Sequence, residues 1–233
     1  MFITGTDTGV GKTVTTALLT RHLRDRGLTV AALKPICSGN RDDARVLHAA
    51  LQGTLALGEI NPWHFRAPLG PLLAARRERK RVTLAAVLAH VRKVQQRFGI
   101  VLVEGAGGLL SPLGEGFTAR ELIVGLRATP VIVCPNRLGI LNHALLTIEA
   151  LPHRAGRRAQ VVLMAPQRPD AATATNPQLL AEFLGRPRVH VLPRLGARPD
   201  PARAPINGPT RRVMVALWKS LPNISVAAEV SRL

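Results

Sequence analysis

The chain has 233 residues, 46% of them hydrophobic and 20% charged. That balance excludes a wholly disordered chain, and no apolar run approaches the roughly 18 residues of a membrane-crossing helix. The net charge is +18, from 32 basic and 14 acidic residues, but the arginines are scattered and aromatics are 3% with no Tyr, so there is little to stack bases on and a nucleic-acid partner is disfavoured.

Apolar, β-branched runs alternate with helical spacing along the chain. Phe2–Thr4 reads as a strand and Thr13–Arg26 as a helix closed by Gly27. Thr29–Leu33 is a second strand, and Ala44–Leu51 is a helix that Asp42 or Asp43 could cap. Thr83–Phe98 is amphipathic and ends at Gly99. Ile100–Val103 is an unbroken apolar run of the kind found in buried parallel strands, and Pro130–Cys134, Val161–Met164 and Val189–Leu192 repeat it. Helices are expected at Thr118–Leu126, Leu141–Leu151, Asn176–Leu184 and Thr210–Leu221. The alternation predicts an α/β fold with a doubly wound, mostly parallel sheet and helices on both faces. One domain is expected over 1–221, with an irregular Pro/Arg-rich segment at 193–209 and a tail at 222–233. Cys37 and Cys134 make no disulfide framework and the N-terminus shows no secretory leader, which together predict a cytoplasmic protein.

The first strand runs into Gly5-Thr6-Asp7-Thr8-Gly9-Val10-Gly11-Lys12-Thr13 and then a helix. Strand, glycine loop and helix make a phosphate-binding loop credible. Backbone N–H groups of Gly9, Val10 and Gly11 can face phosphate oxygens at a helix N-terminus. Lys12 would reach the β- and γ-phosphates, and the Thr13 hydroxyl would ligate Mg²⁺. Five residues separate Gly5 from Gly11, one more than the usual spacing. Only five Lys occur in the chain, so Lys34, in Lys34-Pro35-Ile36-Cys37-Ser38-Gly39 at the end of the second strand, is informative too. Open α/β sheets bind ligands at that edge, where Lys34 could neutralise a second anion. Glu104 follows the third strand at the same edge and could hold Mg²⁺, with Asp42 or Asp43 completing the site.

Taken together, GTDTGVGKT at 5–13, KPICSG at 34–39, VEGAGG at 103–108 and LGILNHALLT at 138–147, with Asn61-Pro62 between them, resemble the dethiobiotin synthetase family. The resemblance covers roughly residues 1–195 and implies a phosphate-loop NTPase fold. It implies an Mg²⁺-dependent cyclo-ligase of biotin synthesis that uses ATP or another NTP to join CO₂ to the vicinal diamine of 7,8-diaminopelargonic acid. On that resemblance Lys12 and Lys34 stabilise the transferring phosphoryl group, and Thr13, Asp43 and Glu104 hold Mg²⁺. Thr8, Lys34 and Ser38 serve catalysis at the carbamate and diamine end, beside Gly107. Backbone groups of Gly139, Ile140 and Asn142 receive the substrate carboxylate, and in the family that helix comes from the other copy of a homodimer.

The sequence departs from the pattern in three places. Gly70-Pro71-Leu72 replaces a Ser-Pro-His segment, Met164-Ala165-Pro166-Gln167 lacks the Asn that reads adenine after the fifth strand, and no acidic residue stands near Ala197 for the ribose. The last two fall on base recognition and leave the phosphate chemistry intact. The alternative is therefore a degenerate family member that binds nucleotide in a regulatory or nucleic-acid-binding role.

Overall fold

The computed structural model describes residues 1–185, 188–196 and 200–221; the tail at 222–233 and the position of Ala197 lie outside them. The chain opens with β1 (Phe2–Gly5) and α1 (Lys12–Arg24), followed by β2 (Val30–Leu33), β3 (Ile36–Ser38), α2 (Asp42–Ala50), α3 (Leu57–Ile60), β4 (Trp63–Phe65), α4 (Pro71–Arg77) and α5 (Leu84–Gln95). It continues with β5 (Ile100–Glu104), α6 (Ala119–Gly125), β6 (Pro130–Pro135), α7 (Ile140–Glu149), α8 (His153–Arg158), β7 (Gln160–Met164), α9 (Ala171–Leu184), β8 (Val189–Leu192) and α10 (Gly208–Ser220).

Six strands form a parallel sheet in the order β2-β5-β1-β6-β7-β8. The apolar runs are strands because both of their faces are covered. On β7, Val161 and Leu163 join Cys134, Ile140, Ala144 and Leu180 under α7 and α9. Val162 between them faces the other way, in the larger cluster that holds Met214 and Leu217 of α10. Successive residues of a strand point to opposite faces, so a strand buried on both has no polar alternation to show. The expected doubly wound α/β architecture is what the chain forms.

Register explains the active edge. Leu33 pairs with Val103 and Ile3 with Glu104. Lys34 therefore leaves β2 level with Glu104 at the end of β5, and the loop after Gly5 starts just beyond both.

Several expectations change. A strand not read from the sequence, Ile36–Ser38, follows Lys34 and pairs in parallel with Trp63–Phe65 in a separate two-stranded sheet. Three residues are too few to show a periodicity. Neither Asp42 nor Asp43 caps α2: Arg41 holds the N-cap position without a side-chain bond, and both acids sit in the first turn. Helix α9 starts at Ala171 rather than Asn176, because Asp170 and Thr173 form a capping box that carries the helix past Pro177. Helices α3, α4 and α8 span four, seven and six residues and fall below any useful window.

Candidate active site

The loop between β1 and α1 needs glycine at two places. Gly9 and Gly11 adopt φ of +72° and +101°, where L side chains are strained. Gly11 also lies under Met164, whose Cε would stand 2.8 Å from any Cβ placed there. Gly11 holds the N-cap position of α1 in the left-handed conformation, and no side chain caps the N–H groups of the first turn. Lys12 folds over this loop, and its Nζ donates to Asp7 O at 2.7 Å. Burial, with the like charge of Lys34 added, lowers its pKa to about 8.

Thr13 stands between two carboxylates. Its Oγ1 lies 2.8 Å from Asp43 Oδ1 and 2.7 Å from Glu104 Oε1. One hydroxyl has one proton and can donate to only one of them at a time. Among the described residues no group of three His, Cys, Asp or Glu gathers in a metal-binding arrangement. The donor set here is two carboxylates and a hydroxyl, all oxygen, which suits a hard cation such as Mg²⁺. Glu104 Oε2 supplies an independent sign: it is buried without a hydrogen-bond partner. The residues present fit the metal.

Lys34 closes the cluster. Its Nζ lies 2.7 Å from Glu104 Oε1, 2.7 Å from Asp43 Oδ2 and 3.1 Å from Gly105 O. Burial alone would lower the Lys34 pKa, but the charges of Glu104 and Asp43 outweigh it and hold the ammonium above the usual lysine range. For Asp43, burial opposes ionisation and Lys34 more than offsets it, so its carboxyl stays below the usual range. Asp42 takes no part, since it is exposed and paired with Arg45 at 2.9 Å.

A cavity of about 740 Å³ is lined by Thr8, Gly9, Gly11, Lys12, Thr13, Lys34, Ser38, Asp43 and Gly107. Nine residues singled out in the sequence thus share one wall. Glu104 lies directly behind, joined through Thr13 and Lys34. Val10 does not line the cavity, and its side chain is in the core. The Ser38 hydroxyl donates to Leu69 O. Gly139, Ile140 and Asn142 are not brought to this cavity. They begin α7 beside a separate groove of about 530 Å³ formed by the outer side of the phosphate loop with Arg137, His143 and Leu146.

The sequence reading missed Pro68, Leu69, Ser111 and Pro112, which also line the cavity. Ser111 Oγ accepts from Gly108 N at 2.9 Å and sits where a Cβ on Gly107 would fall, at 2.4 Å. The glycine cluster at 105–108 signalled such a close approach without naming the partner. Cys37 lines the cavity as well, but burial raises its thiol pKa and suppresses the nucleophilic thiolate.

A glycine loop between a parallel strand and a helix, followed by Lys12 and a Thr13 held by two carboxylates, defines a phosphate-loop NTPase. Residues 1–200 match the AAA domain family. The MinD cell division protein of Aquifex aeolicus has a similar fold, with a TM-score of 0.59, 15% identity and 94% of each chain covered. A ParA family ATPase from Chlorobium tepidum TLS shares the fold at a TM-score of 0.56 and 14% identity, with 93% of this chain and 98% of that one covered. Closer relatives are ATP-dependent dethiobiotin synthetases. The one from Anaeromyxobacter sp. (strain Fw109-5) is 42% identical over 80% of this chain and 86% of its own. That of Bacillus subtilis (strain 168) is 35% identical over 83% and 87%. The chain belongs to the ATP-dependent dethiobiotin synthetase family, the cyclo-ligases of biotin biosynthesis.

Proposed function

We propose that this chain converts 7,8-diaminopelargonic acid, CO₂ and a nucleoside triphosphate to dethiobiotin, nucleoside diphosphate and phosphate, using Mg²⁺. The observation that carries the reading is the Thr13–Asp43–Glu104–Lys34 cluster at the mouth of the phosphate loop. A protein that only binds nucleotide has no need of a second buried lysine locked against two carboxylates.

One amine of the diamine takes up CO₂ as a carbamate. The γ-phosphoryl group passes to a carbamate oxygen, and the second amine attacks the mixed anhydride, closing the ureido ring and releasing phosphate. Side chains form no bond in these steps, so positioning and charge neutralisation supply the acceleration. The N–H groups at Gly9–Gly11 and the α1 N-terminus cradle the phosphates. Lys12, released from Asp7 O, meets the β- and γ-oxygens. Lys34 offsets charge on the moving phosphoryl group, and Thr8 and Ser38, which both line the cavity, orient the carbamate. Thr13, Asp43 and Glu104 would hold Mg²⁺, which supplies Lewis-acid neutralisation of phosphate charge.

The substrate carboxylate falls to Gly139, Ile140 and Asn142 at the start of α7 in a second copy of the chain. The separation of α7 from the cavity supports a homodimer, as does the exposure of Leu138 and Leu146 (83% and 59%) next to the loop-side groove. We place the enzyme in the cytoplasm, as one domain over 1–221; among the described residues no helix is long and apolar enough to cross a membrane. The test is phosphate release with diaminopelargonic acid, bicarbonate and Mg²⁺, with dethiobiotin identified by mass. Diamine-dependent phosphate and dethiobiotin are expected in equal amounts. Nucleotide hydrolysis that ignores the diamine would overturn the reading.

A further inference from the structure

Asn61 lies outside the active-site cavity and is 1% exposed. Its backbone N–H closes α3 on Leu57 O at 3.0 Å, but its side chain turns away from that helix. Nδ2 donates to Lys34 O at 2.8 Å and to Pro35 O at 3.3 Å. Oδ1 accepts from Arg41 Nε at 3.0 Å and from Cys37 Sγ at 3.3 Å. Nδ2 also lies 3.5 Å from Trp63 O; the other four partners belong to one stretch, 34–41, which carries Lys34 and Ser38 and leads into Asp43.

That stretch is otherwise held by backbone bonds at Lys34 N, to Ile60 O at 2.9 Å, and at Gly39 N, to Phe65 O and Ala67 O at 3.0 and 3.1 Å, and by its short pairing with Trp63–Phe65. It leaves the main sheet after Leu33, Pro35 has no N–H to donate, and β3 pairs over only three residues. Lys34 is a long side chain whose ammonium must meet Glu104, Gly105 O and Asp43 together, so its backbone anchor has to be held closely. We propose that Asn61 is a positioning residue whose amide clamps the 34–41 segment and keeps Lys34 Nζ between Asp43 and Glu104. The inference deepens the reading of Lys34 given above and rests on it. The amide is suited to the task because it donates to the carbonyls of Lys34 and Pro35 while accepting from Arg41 and Cys37. An aspartate at this place would set its oxygens against the carbonyls of Lys34 and Pro35, and an alanine would leave buried groups unpaired.

The five lysines make a direct readout practical. In full-length protein labelled with ¹⁵Nζ-lysine, the buried Lys34 ammonium gives a slowly exchanging signal, assigned by its loss in Lys34→Ala. In Asn61→Asp and Asn61→Ala that signal moves or vanishes, and kcat falls roughly 10- to 100-fold while KM for ATP stays within about threefold. Leu180→Ala, a cavity in the separate cluster under α7 and α9, lowers Tm and leaves both readouts unchanged. An unmoved Lys34 signal in the folded Asn61 variants would overturn the clamp, and so would turnover close to that of the unaltered chain. Normal turnover in Lys34→Ala would instead remove the phosphoryl role of Lys34, and the Lys34 signal in the Asn61 variants then decides the clamp by itself.

Discussion

Lys34 and Glu104 form a buried ion pair: Nζ lies 2.7 Å from Oε1, and the side chains are 3% and 0% exposed. Burying two charges is expensive, and a pair of this kind is weak evidence for stability. Its placement at the carboxyl end of adjacent strands, beside a phosphate loop, points to chemistry instead. All three Lys34 donors are already engaged, by Glu104, Asp43 and Gly105 O. Contact with a phosphoryl group therefore requires one of these partners to be given up.

Lys34→Ala is expected to lower kcat by about 10²-fold or more, close to 3 kcal/mol of transition-state stabilisation. It also strands Glu104 as a buried, unpaired carboxylate, so a stability loss of about 3–5 kcal/mol should accompany it. Lys34→Arg should rescue poorly, because a planar fork cannot meet three acceptors arranged around a point. Steady-state kinetics and urea denaturation measure the two effects separately. An alanine variant with near-normal kcat would remove Lys34 from the phosphoryl role.

The two neighbouring acids separate cleanly. Asp43 reaches Thr13 and Lys34, whereas Asp42 reaches only Arg45, with both side chains largely in solvent. Asp43→Asn and Glu104→Gln should each raise the Mg²⁺ concentration needed for half-maximal turnover by tenfold or more, as loss of a metal-site partner typically does (roughly 10–100-fold). Asp42→Ala should leave that requirement unchanged. A Mg²⁺ titration of the three variants is the measurement, and a shift confined to Asp42→Ala would move the metal site by one residue.

Much of this site is legible in the residues because its parts are backbone-driven. A phosphate loop needs Gly9 and Gly11 for their positive φ, and the edge of a parallel sheet needs an apolar run followed by a functional group, as at Leu33-Lys34 and Val103-Glu104. What sequence does not carry is pairing between short segments. Nothing in Ile36–Ser38 or Trp63–Phe65 shows that they join, since register between three-residue strands depends on the chain around them. Asn61 could be noticed beside Pro62, but its partners in 34–41 become visible only when that register is known. The choice of Asp43 over Asp42 turns on which helix face meets Thr13, and a start one or two residues out reverses it. Asp170 and Thr173 are a different case: the two partners of their capping box stand three residues apart in the sequence, and they set the helix start at Ala171.

Stability should depend on pH through His190. Burial lowers its pKa from 6.5 to about 4, and its ring meets Gln160 Oε1 at 3.2 Å and Ser220 Oγ at 3.3 Å. The unfolded chain takes up this proton near pH 6.5, while the folded chain resists until about pH 4. The contribution is therefore complete above pH 6.5 and is lost as the pH falls towards 4, with a ceiling of about 3 kcal/mol. His190→Gln keeps a polar group in the network and removes the titration. Urea denaturation at neutral pH and near pH 4.5 should show a smaller acid loss in the variant. Equal losses in both proteins would assign the acid sensitivity to other groups.

Nucleotide choice is where the chain departs most from the pattern of its family. The base reader is expected just after β7, at Met164–Gln167, and the backbone there is largely committed. Ala165 N donates to Leu192 O at 2.9 Å, Met164 O accepts from Asn136 N at 2.9 Å, and Pro166 has no N–H. The Met164 side chain packs on Gly11 and accepts from Thr15 Oγ1 at 3.7 Å. Two buried asparagines stand close by, but their amides serve the fold. Asn136 Nδ2 donates to Thr173 O, and Asn176 Nδ2 donates to Asn136 Oδ1, both at 2.9 Å. Strong discrimination needs a buried polar group that the wrong base leaves unpaired. Without one, affinity rests on the phosphate contacts of Gly9–Thr13, which are the same for every triphosphate. Discrimination among ATP, CTP, GTP and UTP should stay under about tenfold in kcat/KM, or ~1.4 kcal/mol. The four constants, measured with diaminopelargonic acid saturating, decide it. A preference for ATP beyond about a hundredfold, or ~2.7 kcal/mol, would mean that adenine is read by a group other than these.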